Sequence, residues 1–202
     1  MDWDTDVKSY FAALANGFPE ELRPTVCPLC KWSGFQQKHA HFTRGLHTMT
    51  ELIIVTIYRF LCPTCKDTHS VVPAFFRPKH TVANEVQEAV VARLDSGEAM
   101  RSAGEEICTG VTIDKKTVRR WKTFWETLVT DQENVFVQQA LLVIPALVLP
   151  VGLAKKAVAG SPFRWLRYIR RQVSQTTGRV DSVGLFTTLF RLHSSMALAV
   201  VP

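Results

Sequence analysis

Two short stretches of the chain share one pattern. VCPLCKW places Cys27 and Cys30 two residues apart, and FLCPTCKD does the same with Cys62 and Cys65. Thiolates are soft ligands. Zinc prefers four of them in a closed tetrahedron, and each CPxC turn can present two sulfurs. The matched pairs, separated by residues 31–61, predict one four-thiolate zinc site. Four free or disulfide-linked cysteines fit the paired spacing poorly. A thioredoxin-like dithiol needs a single CxxC opening a helix in a βαβ unit, whereas Pro and strand formers surround these two. Four sulfurs close the shell and leave no position for a water, so the zinc is expected to be structural and not catalytic. His39, His41, His47, His69 and His80 lie in the same region and can each replace a thiolate. With the shell filled, they are expected as exposed polar side chains. Cys108 stands alone and is expected as a small buried apolar residue.

The elements that must position these cysteines are strands. ELIIVTIYRFLC is rich in β-branched and aromatic residues and leads into the second pair; HSVVPAF can return from it. Strand, knuckle and return strand make a zinc ribbon over residues 25–80. Residues 1–24 precede it as a helix, DVKSYFAALANG, closed by Gly17, and a Pro-containing connector.

Residues 81–130 are expected to form three helices. Thr81 is the expected N-cap of the first, whose apolar stripe is Val82, Val86, Ala89, Val90 and Leu94, and Gly97 ends it. The second is short, Glu98 to Ile107, with Ala99, Ala103 and Ile107 inward. Asp114 caps the third. Its Val118, Trp121, Trp125 and Leu128 fall on one face, and Lys115, Lys116, Arg119, Arg120 and Lys122 occupy much of the rest. The seam packs the helix; the basic face is then free to meet phosphates and base edges of double-stranded DNA. A short helix, a turn and a basic helix with an aromatic seam is the pattern of a helix-turn-helix.

YRFLCPTCKDTHSVVPAFFRPKHTV followed by KKTVRRWKTFW resembles the N-terminal recognition region of bacterial insertion-sequence transposases. It is also similar to small bacterial proteins of unknown function that share a zinc ribbon and a homeodomain-like helix-turn-helix. The resemblance covers residues 25–130. It implies that Cys27, Cys30, Cys62 and Cys65 bind zinc and that the helix from Lys115 to Trp125 reads DNA. One departure is the stretch from Ala103 to Val111, longer than a tight turn, which implies an irregular helix-turn-helix.

A transposase nuclease domain needs three separated carboxylates holding two metal ions. After Trp125 the chain offers only Glu126, Asp131, Glu133 and Asp181, and no P-loop, GxSxG or HExxH occurs. The chain is therefore expected to be non-catalytic. Residues 131–202 are expected to be a mainly helical, apolar and basic region. Val135 to Ala154 carries no charge, but Pro145 and Pro150 break it, which favours buried short helices or an interface over a membrane segment. Ser161 and Pro162 open a helix on which Arg164, Arg167, Arg170 and Arg171 alternate with aromatic residues. That pattern suits phosphate contact, a membrane surface or a solvated face of a packed helix. The last stretch, VGLFTTLFRLHSSMALAVVP, gives no assignment, and a poorly ordered end is expected if the chain is a remnant of a longer frame.

A chain of 202 residues, 47% hydrophobic and 21% charged, can bury a core, and a net charge of +6 favours an acidic partner. The acidic N-terminus lacks a long apolar run, so a cytoplasmic location is expected, where paired cysteines more often hold metal, and DNA binding would make the protein nucleoid-associated. The expected fold is α+β: a small zinc ribbon, a three-helix unit and a helical C-terminal region. The expected function is DNA binding, with a homodimer allowed by the apolar C-terminal third. The alternatives are a membrane-associated zinc-ribbon protein anchored by residues 135–154 and a protein-interaction module.

Overall fold

The computed structural model describes residues 7–20, 23–105, 107, 111–150, 161–178 and 184–196. Helix α1 (Val7–Leu14) leads to three strands, β1 (Gln37–His47), β2 (Leu52–Leu61) and β3 (Thr68–Val71). They form one antiparallel sheet in the order β1-β2-β3. Four helices follow: α2 (Asn84–Asp95), α3 (Lys115–Val143), α4 (Pro162–Thr177) and α5 (Leu185–Met196). The chain is thus α+β.

β2 is the strand expected from its β-branched run, and β3 is the return. Register is set by pairs such as Thr43↔Thr56 and Tyr58↔Val71, with a bulge between Lys38 and Ala40. β1 was not expected as a strand. Its residues 37–43 are exposed, and only its C-terminal end reaches the core, at Leu46. No alternation of apolar and polar residues marks it, because alternation arises only where one face is buried. Leu46, Val55 and Ile57 instead pack with Tyr10, Phe75 and Phe76 in a core that continues into all four later helices.

α2 buries Val86, Val90 and Val91, and Gly97, at φ 96°, turns the chain after it. Thr81 does not cap this helix. The Thr81 carbonyl accepts the His47 N–H at 2.8 Å, and the Ala83 N–H donates back to His47 at 2.9 Å. Residues 81–83 are therefore held extended along the end of β1, and the helix starts later. The expected helix from Glu98 to Ile107 is instead a single 3-10 turn, Ser102–Gly104. Ala103 and Ile107 are buried as expected, but Ala99 is exposed. The turn is held from outside: Arg93 pairs with Glu98 through Nε at 2.7 Å and reaches the Glu105 carbonyl at 2.9 Å. A side chain at Gly104 would run into the Ile113 carbonyl, so the two segments can touch only with glycine there.

α3 runs unbroken past the boundary drawn at residue 130. Between Lys115 and Ile144 there is no Gly or Pro to stop it, and at 1.5 Å per residue it is about 44 Å long. Pro145 ends it, holding Ile144 away from helical angles, at φ −133° and ψ 85°. Residues 135–143 are therefore the tail of α3 and not separate short helices. Phe136 and Ala140 are buried, whereas Leu142, Val143 and Val148 are exposed. No helix among the described residues is long and apolar enough to cross a membrane. Residues 151–154 of that apolar stretch, and Cys108, lie outside the described residues.

The C-terminal third is built on α3. Ser161 caps α4 by accepting the Arg164 N–H, with Pro162 at the first turn, as expected. α5, unassigned from sequence, is a packed helix that buries Leu185, Phe186, Leu189 and Leu192.

Glu88 of α2 is turned inward between α4 and α5. Its carboxylate accepts the Phe186 N–H at 3.0 Å and lies 3.9 Å from Arg167. Burial pushes this carboxyl above its ordinary value of 4.5, against that N–H and the nearby charges of Arg167 and Arg170. The fold then holds the Glu88 proton more tightly than the unfolded chain does. Its contribution to stability is full below pH 4.5 and is lost as pH rises through the folded value. A Glu88→Gln variant keeps an acceptor for Phe186. It is expected to gain stability relative to the parent as pH rises above 4.5 in denaturant titrations. Parallel curves for the two proteins would show that burial does not govern this group.

Candidate metal centre and basic face

Each CPxC segment folds into the same knuckle. The Cys27 N–H donates to the Trp32 carbonyl at 2.9 Å, and the Lys31 N–H returns to the Cys27 carbonyl at 3.1 Å. In the second knuckle, Cys62 and Asp67, then Lys66 and Cys62, repeat both bonds at the same distances. The residue after each second cysteine must turn left-handed, and both are lysines, at φ 61° for Lys31 and 63° for Lys66. Lys31 and Lys66 stand where glycine is the lower-cost choice, so the tight turn is held by what surrounds it. The first knuckle precedes β1, and the second joins β2 to β3.

The two knuckles meet. Cys27 Sγ lies 3.7 Å from Cys65 Sγ, and Cys30 Sγ lies 3.6 Å from Cys62 Sγ. All four sulfurs lie within 4.8 Å of one another. Four thiolates at zinc bond lengths of about 2.3 Å have sulfur–sulfur edges of about 3.8 Å. The observed contacts fit that tetrahedron and are far longer than a disulfide bond. Cys27 and Cys62 are buried, Cys65 is half-buried and Cys30 is exposed. Burial pushes the Cys62 thiol up. The N–H groups of Cys65 and Thr64 and the sulfurs of Cys30 and Cys65 outweigh that and bring it down to about 7. Cys65 goes the other way, to about 12. The Asp67 N–H favours its thiolate, but burial and the sulfurs of Cys62, Cys30 and Cys27 oppose it. Metal binding to thiols needs the thiolate form, so a divalent cation placed among the sulfurs would favour their deprotonation. The donor set can hold one metal ion, and all four donors come from the protein.

No histidine joins the four sulfurs among the described residues. His39 and His41 are exposed, as expected, but His47, His69 and His80 are half-buried. His69 faces Phe60 across the β2–β3 pair, and burial lowers its pKa. Neither of its ring nitrogens has a hydrogen-bond partner among the described residues.

The basic residues separate into two groups. Asp114 caps α3 by accepting the N–H groups of Lys116 and Thr117 at 2.9 and 3.0 Å. Val118, Trp121, Trp125 and Leu128 are buried beneath it. Lys115, Lys116, Arg119 and Arg120 are exposed and form no ion pair among the described residues, while Lys122 pairs with Glu126 at 3.5 Å. On α4 the arginines are employed differently. Arg164 donates to the Asp95 carbonyl, and Arg167 lies 3.5 Å from the Asp95 carboxylate and 3.9 Å from Glu88. Arg170 is half-buried and Arg171 is exposed. Arg164 and Arg167 thus tie α4 to α2. No local signal in the sequence pairs them with Asp95 and Glu88, which lie far away along the chain.

Residues 27–121 match the model of a family described as a domain of unknown function, DUF6431. The match runs from the first knuckle cysteine to Trp121. It takes in both knuckles, the sheet, α2 and the basic start of α3, and leaves out α4 and α5. No curated protein and no solved structure matches the chain.

Proposed function

We propose that this chain is a double-stranded DNA-binding protein, transposase-associated or transposase-derived, that carries one structural zinc ion and does no catalysis. In this reading Cys27, Cys30, Cys62 and Cys65 close a zinc ribbon. α2, the Ser102–Gly104 turn and the start of α3 act as an irregular helix-turn-helix, and α3 enters the major groove by its N-terminal end.

The observation that carries the reading is the state of that end. Four cations, Lys115, Lys116, Arg119 and Arg120, stand exposed and without ion-pair partners among the described residues, on a helix whose opposite side is locked by two buried tryptophans. A helix so anchored presents its charges at a fixed angle, and free guanidinium groups can reach phosphate oxygens or guanine edges. The α4 arginines support the contrast. On α4, Arg167 faces the carboxylates of Asp95 and Glu88, and Arg164 donates to the Asp95 carbonyl. DNA contacts are therefore assigned to α3 first, and to Arg171 in preference to Arg164 and Arg167.

Arg119→Ala and Arg120→Ala are each expected to weaken binding to a selected DNA site by about 1 to 3 kcal/mol, leaving thermal unfolding unchanged. A titration of labelled duplex at several salt concentrations measures this. Parent-like binding by both variants would remove α3 from the interface.

A further inference from the structure

Arg77 follows β3 and is 7% exposed, yet nothing among the described residues neutralises it. Its guanidinium carbon sits 3.9 Å from the ring centroid of Phe124 and 5.5 Å from that of Trp125. The rings offset part of the desolvation but accept no conventional hydrogen bond. Nε is sealed from solvent and has no acceptor among the described residues. The two terminal nitrogens are not sealed, and they too have no acceptor among the described residues. Burial lowers Arg77 only to about 10, so it keeps its charge at neutral pH.

Other cations crowd the same place. Arg77, Pro78, Lys79 and His80 form a turn closed by the His80 N–H on the Arg77 carbonyl at 3.1 Å. Pro at its second position and a left-handed residue at its third is the pattern of a type II turn, where Gly or Asn is usual. Here that residue is Lys79, at φ 66° and exposed. The bonds between His47 and residues Thr81 and Ala83 pin this turn beside β1, which carries Arg44. Burial, then the charges of Arg77 and Arg44, drive His80 down to about 4, so it is neutral and adds no repulsion. On α3, Lys116, Arg120 and Phe124 follow one another at a spacing of four and lie along one stripe. Phe124 is the ring on which Arg77 rests. Arg77 thus continues the exposed basic line of α3 onto the turn between β3 and α2.

We propose that Arg77, flanked by Arg44, Lys79 and Arg120, is a phosphate seat: its free terminal N–H groups receive a backbone phosphate of the DNA that α3 reads. The seat deepens the DNA-binding reading and rests on it. Its chemistry is that of a guanidinium held in place by aromatic rings, with its donors directed by packing and not by an acidic neighbour. A phosphate contact positions the duplex without reading it, so its loss weakens all sequences alike.

The test is a salt series with duplexes of selected and of random sequence, using the zinc-loaded full chain. Arg77→Met is expected to weaken both duplexes equally and to lower the slope of log K against log salt by about 1. Lys79→Gly, which also relieves a left-handed lysine, and Arg44→Gln are expected to lower the slope without loss of stability. These two decide the matter if Arg77→Met does not fold. Slopes equal to the parent's in folded Arg77→Met, or in both surface variants, would overturn the seat. If Arg119→Ala had weakened binding in the same series, the DNA reading itself would stand. A parent that ignores duplex at low salt would overturn both. If inorganic phosphate raises the parent's melting temperature but not that of Arg77→Met, while the DNA slopes agree, the seat serves free phosphate and the DNA assignment is wrong.

Discussion

Stripping the metal, or replacing Cys27 or Cys62 by serine, is expected to unfold both knuckles and the outer half of the sheet. The reason is how little else holds that end. Residues 37–43 of β1 are exposed, and Val26, Leu29, Phe35 and Phe42 are exposed beside them. Phe60 and Phe18 are buried there, their rings 5.0 Å apart, but they are a small cluster. The four sulfurs bring residues 27–30 against residues 62–65. Structural zinc sites built on four thiolates supply folding free energy outright, which is the basis of this expectation. The inner end of the sheet, where Leu46, Val55 and Ile57 join the main core, should survive along with the helices. Hydrogen exchange before and after chelation measures this. Amides of residues 26–33, 37–43 and 58–71 should lose protection, and α3 should keep it. Metal analysis of the parent should find one zinc per chain. Unchanged protection in the metal-free protein would show that the sulfurs meet without a structural ion.

Trp125→Ala is expected to cost about 3 to 5 kcal/mol, the range for removing a large buried aromatic side chain. Trp125 is fully buried and does three things at once. It stacks on Phe186 of α5 with ring centroids 4.0 Å apart. It donates its Nε1–H to Gln87 Oε1 at 2.9 Å, and Gln87 in turn donates to the Val82 carbonyl. It is also the second ring beside Arg77. Truncation leaves a cavity between α2, α3 and α5 and an unsatisfied amide oxygen. Trp125→Phe separates these effects. It keeps a ring for Phe186 but strands Gln87, and it is expected to cost about 1 to 3 kcal/mol from the lost hydrogen bond alone. Urea denaturation of the two variants gives both numbers. A loss below about 1 kcal/mol for the alanine variant would mean that α5 is not packed on α3, since removing a packed aromatic ring cannot be so cheap.

The parts of the structure that were legible in the sequence are those governed by nearest neighbours along the chain. The knuckles follow from Cys-Pro-x-Cys, because both ligands and the turn lie within a few residues. The cap at Asp114, the start of α4 at Ser161 and Pro162, and the buried stripe Val118–Trp121–Trp125–Leu128 are local in the same sense. α5 was also legible in principle: Leu185, Leu189 and Leu192 recur at helical spacing, and the surrounding apolar residues obscured it.

What failed were inferences in which a distant segment decides the outcome. Thr81 has the chemistry of a helix cap, but the end of β1 claims its carbonyl. The stretch from Glu98 to Ile107 has an apolar pattern, but Arg93 and the close approach of Gly104 to Ile113 hold Ser102–Gly104 as a 3-10 turn. β1 has no strand pattern and is a strand because β2 pairs with it. Arg164 and Arg167 look like a phosphate-binding row and are instead ion-paired and hydrogen-bonded to α2. Nothing local in the sequence marks Arg77, whose burial depends on Phe124 lying against it from α3. The sequence by itself determined the four cysteines that meet, the cap and seam of α3 and the positive charge. The tertiary structure decided which of those charges are neutralised, because a cation's role depends on the acids and rings that folding brings beside it, and those lie tens of residues away along the chain.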